Sequence, residues 1–353
     1  MTRQDYVNEA VELLKALIAT PSVSRNEDKA ADVMEGFLRG YGLDYQREGN
    51  NIWCMGPHRQ EGLPTLLLNA HIDTVKPVDS WSRPPFIPTQ EGDMLYGLGS
   101  NDCGGGLVSL LQVFRYLITR QQLYQVIYLA SAEEEVSGKD GISRILPLLP
   151  KIDVAVVGEP TGMQPAIAEK GLMVLDVVAH GKSGHAARNE GINAIYQALE
   201  DMRWFRDYRF KKVSDFLGPT QMSLTVIKAG TQHNVIPDRC EMTVDVRTNE
   251  FYTNQEVLDF IKTQVKSEVT ARSTRLSSSH IDPQHPLVRK CMAMGMKPFG
   301  SPTLSDQALM PFPSFKLGPG QSSRSHSADE FIRISEIADA ISTYITLFDG
   351  TKL

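Results

Sequence analysis

Apolar residues in the first twenty positions recur at helical spacing. Tyr6, Ala10, Leu13, Leu14, Leu17 and Ile18 share a face, and Asp5, Glu9 and Glu12 interrupt any continuous apolar run. This predicts an amphipathic helix ending near Pro21, because side chains three and four apart stack on one face. A second helix is predicted from Glu27 to Arg39, stopped by Gly40. Then the rhythm changes. Unbroken apolar runs read as strands buried on both faces: LLLNA into His71, QVIYLASA at 125–132, and VAVVG into Glu159. Helical stretches separate them, one carrying LVSLLQVFRYLI after Gly104, Gly105 and Gly106, and a short one at 142–149. Buried strands alternating with helices predict an α/β sandwich around a mostly parallel sheet.

The pattern shifts near Gly171. Strand (LMVLDVVAH), helix (INAIYQALEDMRWF), strand (MSLTVIKA), strand (CEMTVDVRT), helix (QEVLDFIKTQV) and a strand at ARSTRLSS follow in turn. The β-α-β-β-α-β order is that of a ferredoxin-like α+β unit. Helix, strand and helix then resume. The expectation is one α/β domain, residues 1–171 and 281–353, interrupted by an inserted domain at 172–280. A chain of 353 residues is long for a single core, which agrees with two domains.

Composition narrows the partners. A formal net charge of -6 offers no basic patch, so a nucleic-acid partner is not expected. No run approaches the roughly 18 apolar residues of a membrane span. Cys54, Cys103, Cys240 and Cys291 are scattered without a CxxC pair, and the first twenty residues do not read as a signal peptide. Together these features predict a reduced, cytoplasmic protein without a membrane partner.

The candidate chemistry lies at predicted strand ends. His71 and Asp73 leave LLLNA, and residues two apart in extended chain point the same way, so a carboxylate at 73 can hold one imidazole nitrogen and free the other for a metal. Asp102 sits among Gly97, Gly99 and the Gly104–Gly106 run. A dinucleotide loop fails on spacing, since Asp102 stands where the third fingerprint glycine belongs and no GK[ST] follows. Glu133, Glu134 and Glu135 end an apolar strand, where mutual repulsion favours a bound cation. Strand alternation would aim Glu134 and Glu135 apart, one toward metal and one free as a base. Glu159 ends VAVVG, where it serves equally as a loop cap or a ligand. His326 lies in a serine-rich loop before the last helix. In the inserted segment His185 (GKSGHAA), Asn234 (HNVIPD) and Arg247 (VDVRT) stand out, and Arg247 can pair with Asp245 or with a substrate carboxylate. Two histidines and several carboxylates suit borderline divalent metals in a number large enough for two.

The ordered set NAHIDTV, WSRPPF, YGLGSNDCGGG, SAEEEVSG, VGEPT, GKSGHAA with GINA, HNVIPD with VDVR, and HSADE resembles the co-catalytic zinc metallopeptidase family that includes acetylornithine deacetylase, succinyl-diaminopimelate desuccinylase, aminoacylase and glutamate carboxypeptidase. The resemblance covers nearly the whole chain. It implies one zinc on His71, Asp102 and Glu159 and a second on Asp102, Glu135 and His326, with Asp102 bridging. Co²⁺ or Mn²⁺ can replace Zn²⁺ in such a set. It implies that Asp73 orients His71, that Glu134 is general acid/base for a water shared by the metals, and that Glu133 stands where the family usually has Asp. It further implies a homodimer through the inserted domain, His185 reaching the partner's site to stabilise the oxyanion, and Asn234 and Arg247 contacting substrate. The implied reaction is removal of the acyl group from an N-acyl amino acid, foremost N-acetylornithine. Desuccinylation of succinyl-ornithine, -citrulline or -diaminopimelate comes next, then dipeptidase or carboxypeptidase activity. A succinyl group calls for an extra cation, for which Arg188, Lys170 and Arg324 are candidates. A catalytically dead binding protein of the same fold is disfavoured, because every implied ligand and Glu134 are present.

Overall fold

In the computed structural model of the chain, residues 1–57, 62–188 and 190–353 are described. They form two compact units, one of residues 1–167, 280–299 and 305–353, the other of residues 168–279 and 300–304.

The first unit opens with helices α1 (Arg3–Ile18) and α2 (Asp28–Gly40). The Thr2 hydroxyl accepts from the Asp5 N–H while the Asp5 carboxylate accepts from the Thr2 N–H, a reciprocal cap that fixes where α1 begins. Strands β1 (Tyr45–Glu48), β2 (Asn51–Met55), β3 (Thr65–His71), β4 (Thr89–Glu91) and β5 (Met94–Tyr96) follow, then α3 (Gly105–Leu117), β6 (Gln125–Ser131) and β7 (Val154–Val157). After the second unit come α4 (Pro286–Ala293), β8 (Ser314–Lys316), β9 (Phe331–Arg333) and α5 (Ile334–Phe348).

The main sheet runs β1-β2-β6-β3-β7-β8, and Ala166–Glu169 pairs antiparallel beyond β8. Its centre, β6, β3, β7 and β8, is parallel. The β1 and β2 edge is antiparallel, so the sheet is parallel where the candidate chemistry lies and mixed at its margin. Alternation assigns each side chain to a face. Leu66, Leu68, Val126, Tyr128, Val154 and Val156 join α1, α3 and α5 in one core, while Leu67, Ile127, Leu129, Ala155 and Val157 join Trp53, Ile142 and Ile145 in another. Burial on both faces explains the unbroken apolar runs, and each large side chain so buried contributes about 1.5–3 kcal/mol. A smaller antiparallel sheet, β4-β5-β9, ties the chain after His326 to the chain before Asp102.

The second unit is a four-stranded antiparallel sheet in the order 221–229, 239–247, 173–180, 268–271. Helices Ala194–Asp207 and Asn254–Gln264 pack on it, with Ala194, Ala198, Phe205, Val257 and Ile261 against Leu175, Val177, Val244 and Val246. Connectivity and strand order are those of a ferredoxin-like unit. The last strand corrects the reading of ARSTRLSS: it is Glu268–Ala271, where Val269 enters the core, and beyond it only the Arg272 N–H to Val174 and an isolated bridge of Leu276 to Leu172 continue the pairing. The 221–229 strand lies at the edge and is largely exposed.

All four cysteines are free and buried. No helix among the described residues is long and apolar enough to cross a membrane.

Candidate active site

Parallel strands deliver their carboxyl ends together. His71 closes β3 opposite Ser131 at the end of β6, and Glu159 follows β7 by two residues. Crevices at the carboxyl ends of parallel strands are where such sheets bind ligands. Asp102 arrives from the loop between β5 and α3, where Gly97 and Gly99 take φ of 155° and 77°, a backbone region that side chains rarely tolerate. Helix α3 then approaches so closely that a Cβ on Gly106 would collide with the Gly158 carbonyl, next to Glu159.

The side chains converge on Asp102. His71 Nε2 lies 3.4 Å from Asp102 Oδ1 and 3.5 Å from Glu159 Oε1, while His326 Nε2 lies 3.5 Å from Asp102 Oδ2. His326 Nε2 is also 2.9 Å from Glu135 Oε2. The two oxygens of Asp102 therefore face two different imidazoles. His71 Nε2 and Glu159 Oε1 are buried without a hydrogen-bond partner, an arrangement that is costly in a core unless a cation sits between them. Ligand atoms of His71, Asp102 and Glu135 all lie within 4.8 Å of one another, as do those of His71, Cys103 and Glu159. Cys103 is engaged elsewhere, its sulfur accepting the His71 backbone N–H at 3.2 Å. The donor set of imidazole and carboxylate fits zinc, cobalt or manganese.

Asp73 departs from expectation in detail. Its backbone carbonyl, not its carboxylate, makes the close contact with His71 Nδ1, at 2.9 Å against 3.5 Å for Oδ1. The carboxylate instead accepts from the backbone N–H groups of Glu134 and Glu135, at 3.0 and 3.2 Å, and from the Ser24 hydroxyl at 2.7 Å. Glu134 and Glu135 also correct the strand reading. The strand stops at Ser131, Glu133 turns back with φ of 54°, and 134–136 form one tight turn. A turn pinned by Asp73, rather than alternation, separates the two carboxylates.

Electrostatics follows from crowding. Burial pushes the Glu134 carboxyl well above its usual range, and Glu159, Asp306 and Glu135 reinforce the rise against the opposing pull of His71. Burial, then Asp102, lifts Glu159 to about 8. For Asp102 the hydrogen bond and charge of His71 overcome burial and hold it low. The Glu135 hydrogen bond raises His326 to about 9. Burial opposes a charged His71, but the Asp102 and Asp73 carboxylates outweigh it and the imidazole's proton affinity rises.

Two acids at this centre escape sequence reasoning. Asp306, buried, accepts from the Ser131 hydroxyl at 2.5 Å and is lifted by burial to about 6. Glu330, also buried, accepts from the backbone N–H groups of Gly99, Asn101 and Asp102. The HSADE motif contained the signal for Glu330. Asp306 carried none, because Ser305 before it reads as an ordinary cap and does cap the next turn.

His185, Asn234 and Arg247 belong to the second unit. His185 is exposed, pairs with Val235 across a two-residue ladder, and its Nδ1 accepts the Ala187 N–H at 3.2 Å. The Asn234 carbonyl accepts from the Ala186 N–H. Arg247 grips Asp245 through Nε and Nη2, at 2.8 and 3.1 Å. Of the cation candidates, Lys170 donates to Gln221 and Arg324 forms a two-pronged pair with Glu336.

Known proteins extend the comparison. Acetylornithine deacetylase of Pectobacterium carotovorum subsp. carotovorum is 30% identical over 91% of this chain and 92% of its own. Succinyl-diaminopimelate desuccinylase of Orientia tsutsugamushi is 28% identical over 74% of this chain and 72% of its own. Among solved structures, aminopeptidase PepT of Bacillus cereus superposes with a TM-score of 0.76 at 17% identity, over 99% of this chain and 98% of that one. A dinuclear metal binding peptidase of the M20 family from Bacillus subtilis gives a TM-score of 0.73 at 17% identity, over 98% of both chains. These two share the fold. Peptidase family M20/M25/M40 matches residues 67–349, which takes in every acidic and histidine residue of the cluster. With that span and a cluster able to take a metal ion, the chain is a metal-dependent hydrolase and belongs to peptidase family M20/M25/M40.

Proposed function

We propose that the chain hydrolyses the amide of an N-acyl amino acid, with N-acetylornithine the leading substrate. The observation that carries the hydrolytic reading is the shared carboxylate: Asp102 turns one oxygen to His71 and the other to His326, and each imidazole has a further carboxylate of its own, Glu159 or Glu135. His71, Asp102 and Glu159 would hold one zinc ion, and Asp102, Glu135 and His326 a second, with cobalt or manganese able to use the same donors. Bound there, the pair supplies Lewis acidity, which acidifies water and polarises the scissile carbonyl.

The chain's own residues do the rest. Asp73 fixes the His71 tautomer through its carbonyl and the Glu134–Glu135 turn through its carboxylate. Glu134 takes the proton of the attacking water and returns it to the amine nitrogen as the C–N bond breaks. A carboxyl whose proton affinity is raised by burial suits both transfers. His185 of a second copy stabilises the oxyanion, while Asn234 and Arg247 hold the amino acid. Because Arg247 faces Asp245 with Nε and Nη2, its Nη1 is the nitrogen to meet an α-carboxylate. The edge strand at 221–229, with Leu224, Val226 and Ile227 between 37% and 51% exposed, supports a homodimer through this unit.

Similarity to acetylornithine deacetylases over nine-tenths of the chain supports the acetyl substrate. Similarity to succinyl-diaminopimelate desuccinylase supports desuccinylation as a second reading. A hydrolysis panel of N-acetyl and N-succinyl derivatives of ornithine, citrulline, lysine and diaminopimelate, with simple dipeptides, separates them. N-acetylornithine should be cleaved fastest. A succinyl compound in first place favours the second reading, cleavage of dipeptides alone makes the chain a peptidase, and no cleavage in zinc, cobalt or manganese overturns the hydrolase assignment for these substrates.

A further inference from the structure

We propose that Glu330 is a positioning residue that holds the bridging carboxylate Asp102 in register with His326. This deepens, and rests on, the reading of Asp102 and His326 as metal ligands. Glu330 is only 2% exposed, and a carboxylate buried this far requires compensation. What compensates it is one stretch of backbone: the N–H groups of Gly99, Asn101 and Asp102 donate to its oxygens at 3.2, 2.8 and 2.9 Å. The Gly97 N–H donates to the Glu330 carbonyl at 3.0 Å. One residue therefore fixes the orientation of several peptide units leading to the Asp102 side chain.

The grip is returned from the other side. Asn101, fully buried, accepts from the Gln321 N–H at 2.9 Å and donates to the Gln321 carbonyl at 3.0 Å and to the Ser325 hydroxyl at 3.3 Å. Gly320 beside it has no room for a Cβ against the Asn101 amide. The loop carrying Asp102 and the loop carrying His326 are thus pinned to each other at two points. His326 and Asp329 hold φ of 57° and 53°, a conformation that persists in non-glycine residues only where surrounding contacts enforce it. The Glu330 oxygens are taken up by backbone N–H groups and the Asn101 amide by Gln321 and Ser325, so both act by placing the loops that carry Asp102 and His326.

The test is zinc titration of chelator-stripped protein against a competing chelator, with melting of the stripped protein alongside. Wild type should bind two equivalents; failure to bind any zinc defeats the metal reading itself, whatever Glu330 does. Glu330→Gln keeps the volume but sets an amide against three N–H donors. It should weaken the more loosely held equivalent about 10–100-fold, the range for residues that orient metal ligands. It should lower kcat at limiting zinc with KM unchanged, and excess zinc should restore the rate. A folded variant with wild-type zinc affinity and only a lower melting temperature overturns the proposal. If Glu330→Gln does not fold, Asn101→Ala must weaken the same equivalent. A folded Asn101→Ala without that loss, or failure of both variants to fold, assigns the interlock to stability alone and overturns it.

Discussion

Glu135 and His326, 191 positions apart in the chain, meet carboxylate to imidazole, with Nε2 3.1 Å from Oε1 and 2.9 Å from Oε2. That bond is also why His326 keeps its proton to about 9. A raised folded pKa means the pair stabilises the metal-free protein fully below the ordinary histidine range and loses that contribution as pH rises through about 9. Because the imidazole is half exposed, solvent tempers the effect.

Metal uptake should therefore release protons. A cation placed between Glu135 and His326 competes with the proton they share, so zinc affinity should rise with pH up to about 9. Calorimetry of zinc binding at pH 7.5 in buffers of different ionisation enthalpy measures the release. Heats independent of the buffer would mean that His326 takes no part.

Glu134 can be separated from the ligands beside it. Glu134→Gln should lower kcat by about 10²–10⁴, the usual worth of a positioned acid or base, while zinc content stays at wild type. Full activity in the variant sinks the general-base role, and loss of zinc turns Glu134 into a ligand.

Part of the site is legible in sequence because it combines two signals, an apolar run and a polar residue that such a run has no reason to carry. His71 and the acidic run at Glu133–Glu135 stand out in this way, whereas Glu159 reads equally as a loop cap. Asp102 was legible through its glycines. What was hidden depends on distance. Asp306 bonds Ser131 across 175 positions, and Ser131 closes an apolar strand where a small hydroxyl draws no notice. The turn of Glu133, with φ of 54°, has no glycine to announce it. Asp73 was placed correctly beside His71, but periodicity cannot tell that its carbonyl would hold the imidazole and its carboxylate the next strand's turn.

Asp306 should tune Glu134. Its negative charge is one of the influences that raise the Glu134 carboxyl. Asp306→Asn removes that charge and leaves a group able to bond Ser131. Glu134 should then lose its proton more readily, moving the acidic limb of the kcat/KM profile to lower pH by a fraction of a unit. A limb that stays in place, in a variant with normal zinc content, means the two acids are not coupled in the working enzyme.

Cross-subunit catalysis has a direct complementation test. His185→Ala and Glu134→Gln subunits should each be weakly active alone. If His185 serves the partner's site, a mixed dimer holds one site with both residues intact, and turnover should recover toward half of the wild-type rate per dimer. Verified mixed dimers without recovery confine His185 to its own subunit.

Gly106 offers a test of the scaffold apart from the chemistry. Helix α3 meets the backbone of Gly158 with no space for a Cβ, and Glu159 is the next residue. Gly106→Ala must push helix and strand apart. Overpacking of this kind costs about 1–3 kcal/mol, which denaturant unfolding of the metal-free protein would measure. The same displacement moves Glu159 relative to His71, whose facing atoms are 3.5 Å apart. Zinc affinity should therefore fall along with stability. Ala at Gly42, where φ is 70° and the surroundings are open, strains the backbone without touching the site, and there stability should fall while zinc affinity holds. Equal zinc affinity in the two variants would show that the site tolerates movement of Glu159, and that the close approach of α3 serves packing only.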